Sequence, residues 1–184
     1  MAEQVAGIVL AAGAGTRFGM PKVLAGDGRW LHSAVGALDD GGCDDIVVVL
    51  GAAVVDVPAP ARAVVASDWA EGMAASLRAG LAGLDSGAAD YAVLLTVDAP
   101  DIGADAVRRV LAVARGSASG IARAGYGDRP GHPVVVARRH WPDLVATLRG
   151  DEGARQFLAA RDDVAWVDCA DLATGADIDV NPER

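Results

Sequence analysis

Apolar positions along the chain fall into two alternating textures. Short β-branched runs read as strands: Val5–Leu10, Ile46–Leu50, Ala63–Ala66, Tyr91–Val97, Gly120–Arg123, Val134–Ala137 and Val164–Val167. Between them lie Ala/Leu-rich segments of helical length at Trp30–Leu38, Trp69–Leu84, Ala104–Ala114, Trp141–Leu148 and Glu152–Ala160. The strand runs are continuously apolar, which suits a sheet covered on both faces. Alternating strands and helices predict an α/β fold, with a mostly parallel twisted sheet and helices on both sides. No repeat and no linker divides the chain, so residues 1–184 are expected to form a single Rossmann-like domain. The Ala/Gly/Pro stretch Gly51–Ala61 reads as a surface connection.

Composition narrows the function classes. The chain is 52% hydrophobic but only 4% aromatic, so its core is built mainly from Ala, Val, Leu and Ile. A net charge of −9 excludes general affinity for nucleic acid, which needs a basic surface. Acidic pairs such as Asp39-Asp40, Asp44-Asp45 and Asp162-Asp163 read as solvated loops. Cys43 and Cys169 have neither metal-ligand spacing nor a disulfide framework, as in a reducing compartment. No leader is expected, and the longest apolar run, Ile46–Val55, is shorter than the roughly 20 residues a membrane span needs. A cytoplasmic protein without a membrane or nucleic-acid partner is expected. No apolar stripe demands a partner, which suits a monomer or weak homo-oligomer.

The chain holds fifteen arginines and one lysine, and Lys22 closes the only glycine-rich loop, Leu10-Ala11-Ala12-Gly13-Ala14-Gly15-Thr16-Arg17-Phe18-Gly19-Met20-Pro21-Lys22. The loop follows a strand directly. Its glycines permit positive φ and close approach to a ligand, and its successive N–H groups can form an anion nest. Arg17 can grip a phosphate bidentately and Lys22 adds a compact charge. A P-loop is excluded, because Pro21 precedes Lys22 and Val23 follows it. A dinucleotide fingerprint fits less well: the third glycine falls one step late and no acid follows the second strand at Leu50-Gly51-Ala52. A purely structural turn would not need both cations.

Two acidic segments stand near strand ends. Tyr91–Val97 runs into Asp98-Ala99-Pro100-Asp101, where a carboxylate is placed to hold Mg²⁺ beside phosphates or to cap the helix near Gly103. Near the C-terminus, Asp177-Ile178-Asp179-Val180-Asn181-Pro182 puts Asp177 and Asp179 on one face if extended. A frayed acidic tail is the alternative.

The loop Leu10-Ala11-Ala12-Gly13-x-Gly15-x-Arg17-x-Gly19-x-x-Lys22 resembles the signature of MobA-like NTP transferases. These include the molybdenum-cofactor cytidylyl- and guanylyltransferases and, more distantly, sugar-nucleotide pyrophosphorylases. Gly28-Arg29-Trp30-Leu31 is similar to the family's step from substrate loop to helix, and the likeness continues in order to the C-terminus. It implies a nucleotidyltransferase domain binding NTP through Leu10, Ala11, Ala12, Gly13, Gly15, Arg17 and Lys22. Gly72 and Ser76, in a Gly-x-x-x-Ser-Leu segment, would help hold base and ribose. Asp98 matches the magnesium-binding aspartate, with Asp179 or Asp177 completing the site. The ending departs from the family's Asp-Ile-Asp-Thr-Pro-Glu, since Val180-Asn181 replaces a single Thr. Gly131-His132-Pro133 would line the acceptor side. Gly150-Asp151-Glu152-Gly153-Ala154-Arg155 matches the cytidylyltransferase branch, where Arg155 would meet an acceptor phosphate; read alone, it is a helix-capping acid.

The resemblance therefore implies Mg²⁺-dependent transfer of a nucleotidyl group to a phosphorylated, molybdopterin-like acceptor, with Arg17, Lys22 and Asp98 as catalytic residues. Ala12 stands where guanylyl-transferring relatives tend to carry glycine, which favours CTP over GTP. An NAD(P)-dependent oxidoreductase using the same loop, and a non-catalytic chaperone for a nucleotide or molybdenum cofactor, are the alternatives.

Overall fold

The computed structural model describes residues 2–84 and 87–182. One seven-stranded sheet organises them, in the order β3-β2-β1-β4-β6-β5-β7. The strands are β1 (Val5–Leu10), β2 (Asp45–Leu50), β3 (Arg62–Val65), β4 (Tyr91–Thr96), β5 (Ile121–Tyr126), β6 (Arg129–Ala137) and β7 (Ala165–Asp168). The helices are α1 (Arg29–Asp40), α2 (Met73–Ala82), α3 (Ala104–Gly116), α4 (Trp141–Thr147) and α5 (Arg155–Ala159). Only β6 runs against its neighbours, pairing antiparallel with both β4 and β5. The expected α/β domain with a mostly parallel sheet and helices on both faces is observed.

The two-residue period of the strands sorts the core into two layers. In β1, Val5 and Val9 join one cluster with Leu31, Leu38 and Val107 from α1 and α3. Ala6, Ile8 and Leu10 join the other, with Leu77 and Leu81 of α2 and Leu144 of α4. Ile8, Leu38, Leu77 and Leu144 are fully buried, and each contributes about 1.5–3 kcal/mol of transfer free energy. Close approach fixes two glycines: a Cβ on Gly7 would stand 2.8 Å from Leu38 Cδ1, and one on Gly80 2.9 Å from Ile8 Cγ2. Larger residues at either position would push a helix off the sheet.

Four predicted elements change. The helix expected over Trp69–Leu84 breaks at Gly72, where φ is 113° and ψ −172°, leaving a short 3₁₀ turn at Trp69–Glu71 before α2. Its apolar period runs through the break, but no L-residue adopts that backbone readily. The helix over Glu152–Ala160 shrinks to Arg155–Ala159, because Gly150 and Gly153 both take positive φ. The strands expected at Gly120–Arg123 and Val134–Ala137 lengthen toward each other into a hairpin, with Tyr126 opposite Arg129. Gly127, at φ 67°, is the first of the two turn residues, where such hairpins require positive φ.

Strand order reverses between β1 and β4. The chain leaves β1 through α1 toward β2 on one side, while β4 enters on the other. The crevice outside the carboxyl ends of these two strands is where ligands collect in open α/β sheets. Among the described residues, no helix is long and apolar enough to cross a membrane.

Candidate active site

The glycine loop is stitched to its neighbours at its base. Ala11 N donates to Val49 O (3.0 Å), Ala52 N to Ala12 O (2.9 Å) and Val97 N to Leu10 O (3.1 Å). The loop then curls back on itself, with Gly19 N donating to Gly15 O at 2.7 Å. Gly15 takes φ 61°, and a Cβ there would collide with the carbonyl of Met20. The position is closed to side chains, as the sequence pattern requires.

Beneath this loop lies a cavity of about 460 Å³. One wall is the loop itself, including Leu10, Ala11, Ala12, Gly13, Gly15 and Arg17. Lys22 and Asp98 line its floor, Gly72 and Ser76 the opposite wall at the start of α2, and Asp179 its rim. The fold thus brings the predicted nucleotide-binding residues together with Asp98 and Asp179, whereas Asp177 does not border the cavity. The guanidinium of Arg17 makes no hydrogen bond or ion pair among the described residues and is exposed at the mouth.

Lys22 Nζ joins the two acids. It donates to Asp98 Oδ2 and to Asp179 Oδ1, each at 2.9 Å. Burial works to lower the lysine pKa, but the hydrogen bonds and charges of Asp98 and Asp179 outweigh it, so the net direction is upward. The hydrogen bond from Lys22, with its charge, holds the Asp179 carboxyl below its ordinary value. Asp177 moves the other way, raised by burial first and then by the charges of Asp98 and Asp179. The C-terminal segment is positioned through its backbone, because Ile178 N donates to Asp98 O at 2.9 Å. Asp98 caps no helix: the N-cap residue of α3 is Gly103, and no side chain caps that end.

The residues fit a divalent cation in one respect. Asp98 Oδ1 is buried and has no hydrogen-bond partner, although its twin Oδ2 is bonded to Lys22. A buried carboxylate oxygen without a donor is costly, and a cation would satisfy it. Among the described residues, no three His, Cys, Asp or Glu side chains converge as a ready-made cage. Such a site suits Mg²⁺ or Mn²⁺ held by one or two carboxylates, with substrate phosphates and water completing it.

Several lining residues escaped sequence reasoning. Thr96 is the polar member of an otherwise apolar strand run; it is buried, and its Oγ1 has no partner. Trp69 stacks over Gly51, where a Cβ would meet its ring at 2.6 Å. Asp151 lines the cavity instead of capping α5, whose N-cap residue is Ala154. It is brought there by Gly72, where a Cβ would overlap Asp151 Oδ1 and lie 2.7 Å from Gly150 O. By contrast, Arg155 is exposed on α5, and Gly131-His132-Pro133 lies within β6; none of these borders the cavity.

Comparison with known proteins places the chain among relatives of one family. The profile of the MobA-like NTP transferase domain matches residues 7–164. A "Nicotine blue oxidoreductase" of Paenarthrobacter nicotinovorans is 37% identical over 194 residues, covering 95% of this chain and 92% of that one. The crystal structure of Rv0371c from Mycobacterium tuberculosis superposes with a TM-score of 0.77 at 28% identity, covering 98% of this chain and 95% of that one. A complex of Rv0371c with manganese superposes with a TM-score of 0.68 at 26% identity, over 90% of this chain and 88% of that one.

Proposed function

The chain belongs to the MobA-like NTP transferase family, and on that premise we propose that it transfers a nucleotidyl group, CMP from CTP, to a phosphorylated acceptor of molybdopterin type and releases pyrophosphate. The observation that carries the reading is the Lys22 ammonium held 2.9 Å from Asp98 and from Asp179 beneath a glycine loop. An ordinary structural turn needs no such cluster.

An oxygen of the acceptor phosphate forms a bond to the α-phosphorus as the bond from that phosphorus to the β-bridging oxygen breaks. The electron pair leaves on pyrophosphate. No protein nucleophile is needed, so the chain's work is positioning and charge neutralisation. The loop's backbone N–H groups and Arg17 hold the NTP phosphates. Lys22 stabilises charge growing on the departing pyrophosphate. Ser76 and Gly72 form the wall available to ribose and base. Asp98, assisted by Asp179, would hold Mg²⁺, which supplies Lewis-acid polarisation of the phosphoryl oxygens when bound. Ala12 in place of a second glycine supports CTP over GTP.

The name of the Paenarthrobacter relative, an oxidoreductase, favours a second reading; on this chain it would be an NAD(P)-dependent oxidoreductase using the same loop. The chain after β2, Gly51-Ala52-Ala53-Val54, offers no acid for a ribose there, which counts against it. Calorimetric titration with CTP, GTP, ATP and NADPH, each with and without Mg²⁺, separates the two. Magnesium-dependent CTP binding that is lost in Asp98→Ala supports the transferase. Binding of NADPH alone, indifferent to magnesium, overturns it.

A further inference from the structure

Three acids border the cavity, and they are not in the same state. Asp98 and Asp179 are both held by Lys22. The carboxylate of Asp151 makes no hydrogen bond or ion pair among the described residues. Its backbone is nevertheless fixed. The segment that follows α4 docks on the first turn of α2, where Gly150 O accepts from Ala74 N at 2.9 Å and a Cβ on Gly153 would stand 3.0 Å from Met73 Cγ. Between these two contacts Asp151 lies against Gly72, whose missing side chain leaves room for Oδ1. An acid that served only solubility would need no such placement.

A second group on the same wall is also unpartnered. Ser76, one helical turn beyond Gly72, is only 5% exposed and lines the cavity. A serine inside a helix commonly bonds back to the carbonyl of the preceding turn. This one makes no hydrogen bond among the described residues, so its hydroxyl is left for whatever fills the cavity. The charges decide which part of a nucleotide meets this wall. Arg17 and Lys22 are the cations that border the cavity, and they draw the phosphates to the glycine loop. An unpaired carboxylate repels phosphates from its own side. The end of the nucleotide that reaches Asp151 is therefore the base.

Resting on the transferase reading above, we propose that Asp151 is the residue that selects cytosine over uracil: its carboxylate accepts a hydrogen bond from the exocyclic amine of the base. A carboxylate has acceptors only. Cytosine presents an amine on the edge where uracil presents a carbonyl oxygen, and the amine satisfies the carboxylate. With uracil, acceptor faces acceptor, and both lose water without a replacement. The choice is made by repulsion as much as by attraction. Ser76 takes no part in it, since a hydroxyl donates or accepts and serves either ring. The role differs from that of Ala12, which bears on CTP against GTP and leaves the two pyrimidines undivided.

The test is calorimetric titration of the full chain with CTP and with UTP in the presence of Mg²⁺, folding being checked by circular dichroism. Wild type should bind CTP at least ~10-fold more tightly than UTP, the scale of one hydrogen bond to a charged group. Asp151→Ala should lose that margin, chiefly by weakening CTP, and leave the two ligands within about 3-fold of each other, less than the scale of such a bond. Asp151→Asn should bind UTP more tightly than wild type does, because an amide can donate to the uracil oxygen. Ser76→Ala should weaken CTP and UTP alike and keep their ratio. A ratio unchanged in Asp151→Ala overturns the proposal, as does an equal loss of both ligands there, which marks a merely structural residue. Equal binding of CTP and UTP by wild type, with the magnesium dependence and the Asp98→Ala loss intact, overturns the base reader and leaves the transferase standing. A preference for CTP that follows Asp151 but ignores both magnesium and Asp98→Ala upholds the base reader while the transferase reading falls.

Discussion

Asp98 and Asp179 touch the same ammonium at the same distance, yet they are held in unlike ways. Asp98 follows a strand whose six residues are all buried, between β1 and β6. Its carboxylate is mostly covered, with 22% of the side chain exposed. Asp179 sits on an irregular C-terminal segment with 52% of its side chain exposed. One acid is built into the scaffold and the other is delivered to it by a tail. The scaffold acid carries the buried, unpartnered oxygen. The tail acid is held by Lys22 and by the backbone bond that Ile178 N donates to Asp98 O. Rigid placement and adjustable placement are thus divided between two ends of one bridge.

Substitutions at the bridge test that division most severely. Asp98→Ala and Lys22→Ala should each lower turnover at least ~100-fold with folding intact by circular dichroism, the scale of losing one preorganised electrostatic group. Asp179→Asn should cost about 10-fold, because an amide can still accept from Lys22 while the charge is lost. Equal losses at Asp98 and Asp179 in steady-state assays would erase the distinction. The cavity wall offers a contrast in stability. Gly72→Ala should destabilise by about 1–3 kcal/mol in chemical denaturation, since a Cβ would be forced against Gly150 and Asp151 at φ 113°. Gly103→Ala, with φ −104° and open space around its Cβ, should be close to neutral.

The smallest effect concerns pH. The folded pKa of Asp179 is depressed, so its contribution is present above the ordinary carboxylate value of 3.8 and is lost as pH falls through the depressed value. The folded pKa of Lys22 is raised, so its contribution holds below 10.5 and is lost as pH rises through the raised value. Between these limits wild type should exceed Asp179→Asn in stability by about 1 kcal/mol or less, given the exposure of the pair. Thermal melts of both proteins should converge in acid; a gap that widens there would contradict the bridge.

How far the sequence disclosed this molecule follows the same contrast. β1 and β4 were readable because continuous burial leaves an unbroken apolar run, and the glycine loop because its backbone demands are written in residue type. The β5–β6 hairpin was obscured by Gly127-Asp128-Arg129-Pro130-Gly131-His132-Pro133. Its prolines and exposed polar residues read as loop, although Gly127-Asp128 is itself a hairpin signal. Asp151 was hidden because its place in the cavity depends on the backbone of Gly72, 79 positions earlier in the chain, a relation that no local pattern encodes. Alternation put Asp177 and Asp179 on one face and could not choose between them. The reach of Lys22 selects Asp179.

The single lysine has a practical corollary. Apart from the chain's own amino terminus, Lys22 is the only primary amine in the sequence, and it lies at the centre of the site. An acylating reagent therefore reports occupancy at one address: the extent of labelling read by mass spectrometry becomes a titration curve for whatever displaces or shields that amine. No engineered tag or dye is needed.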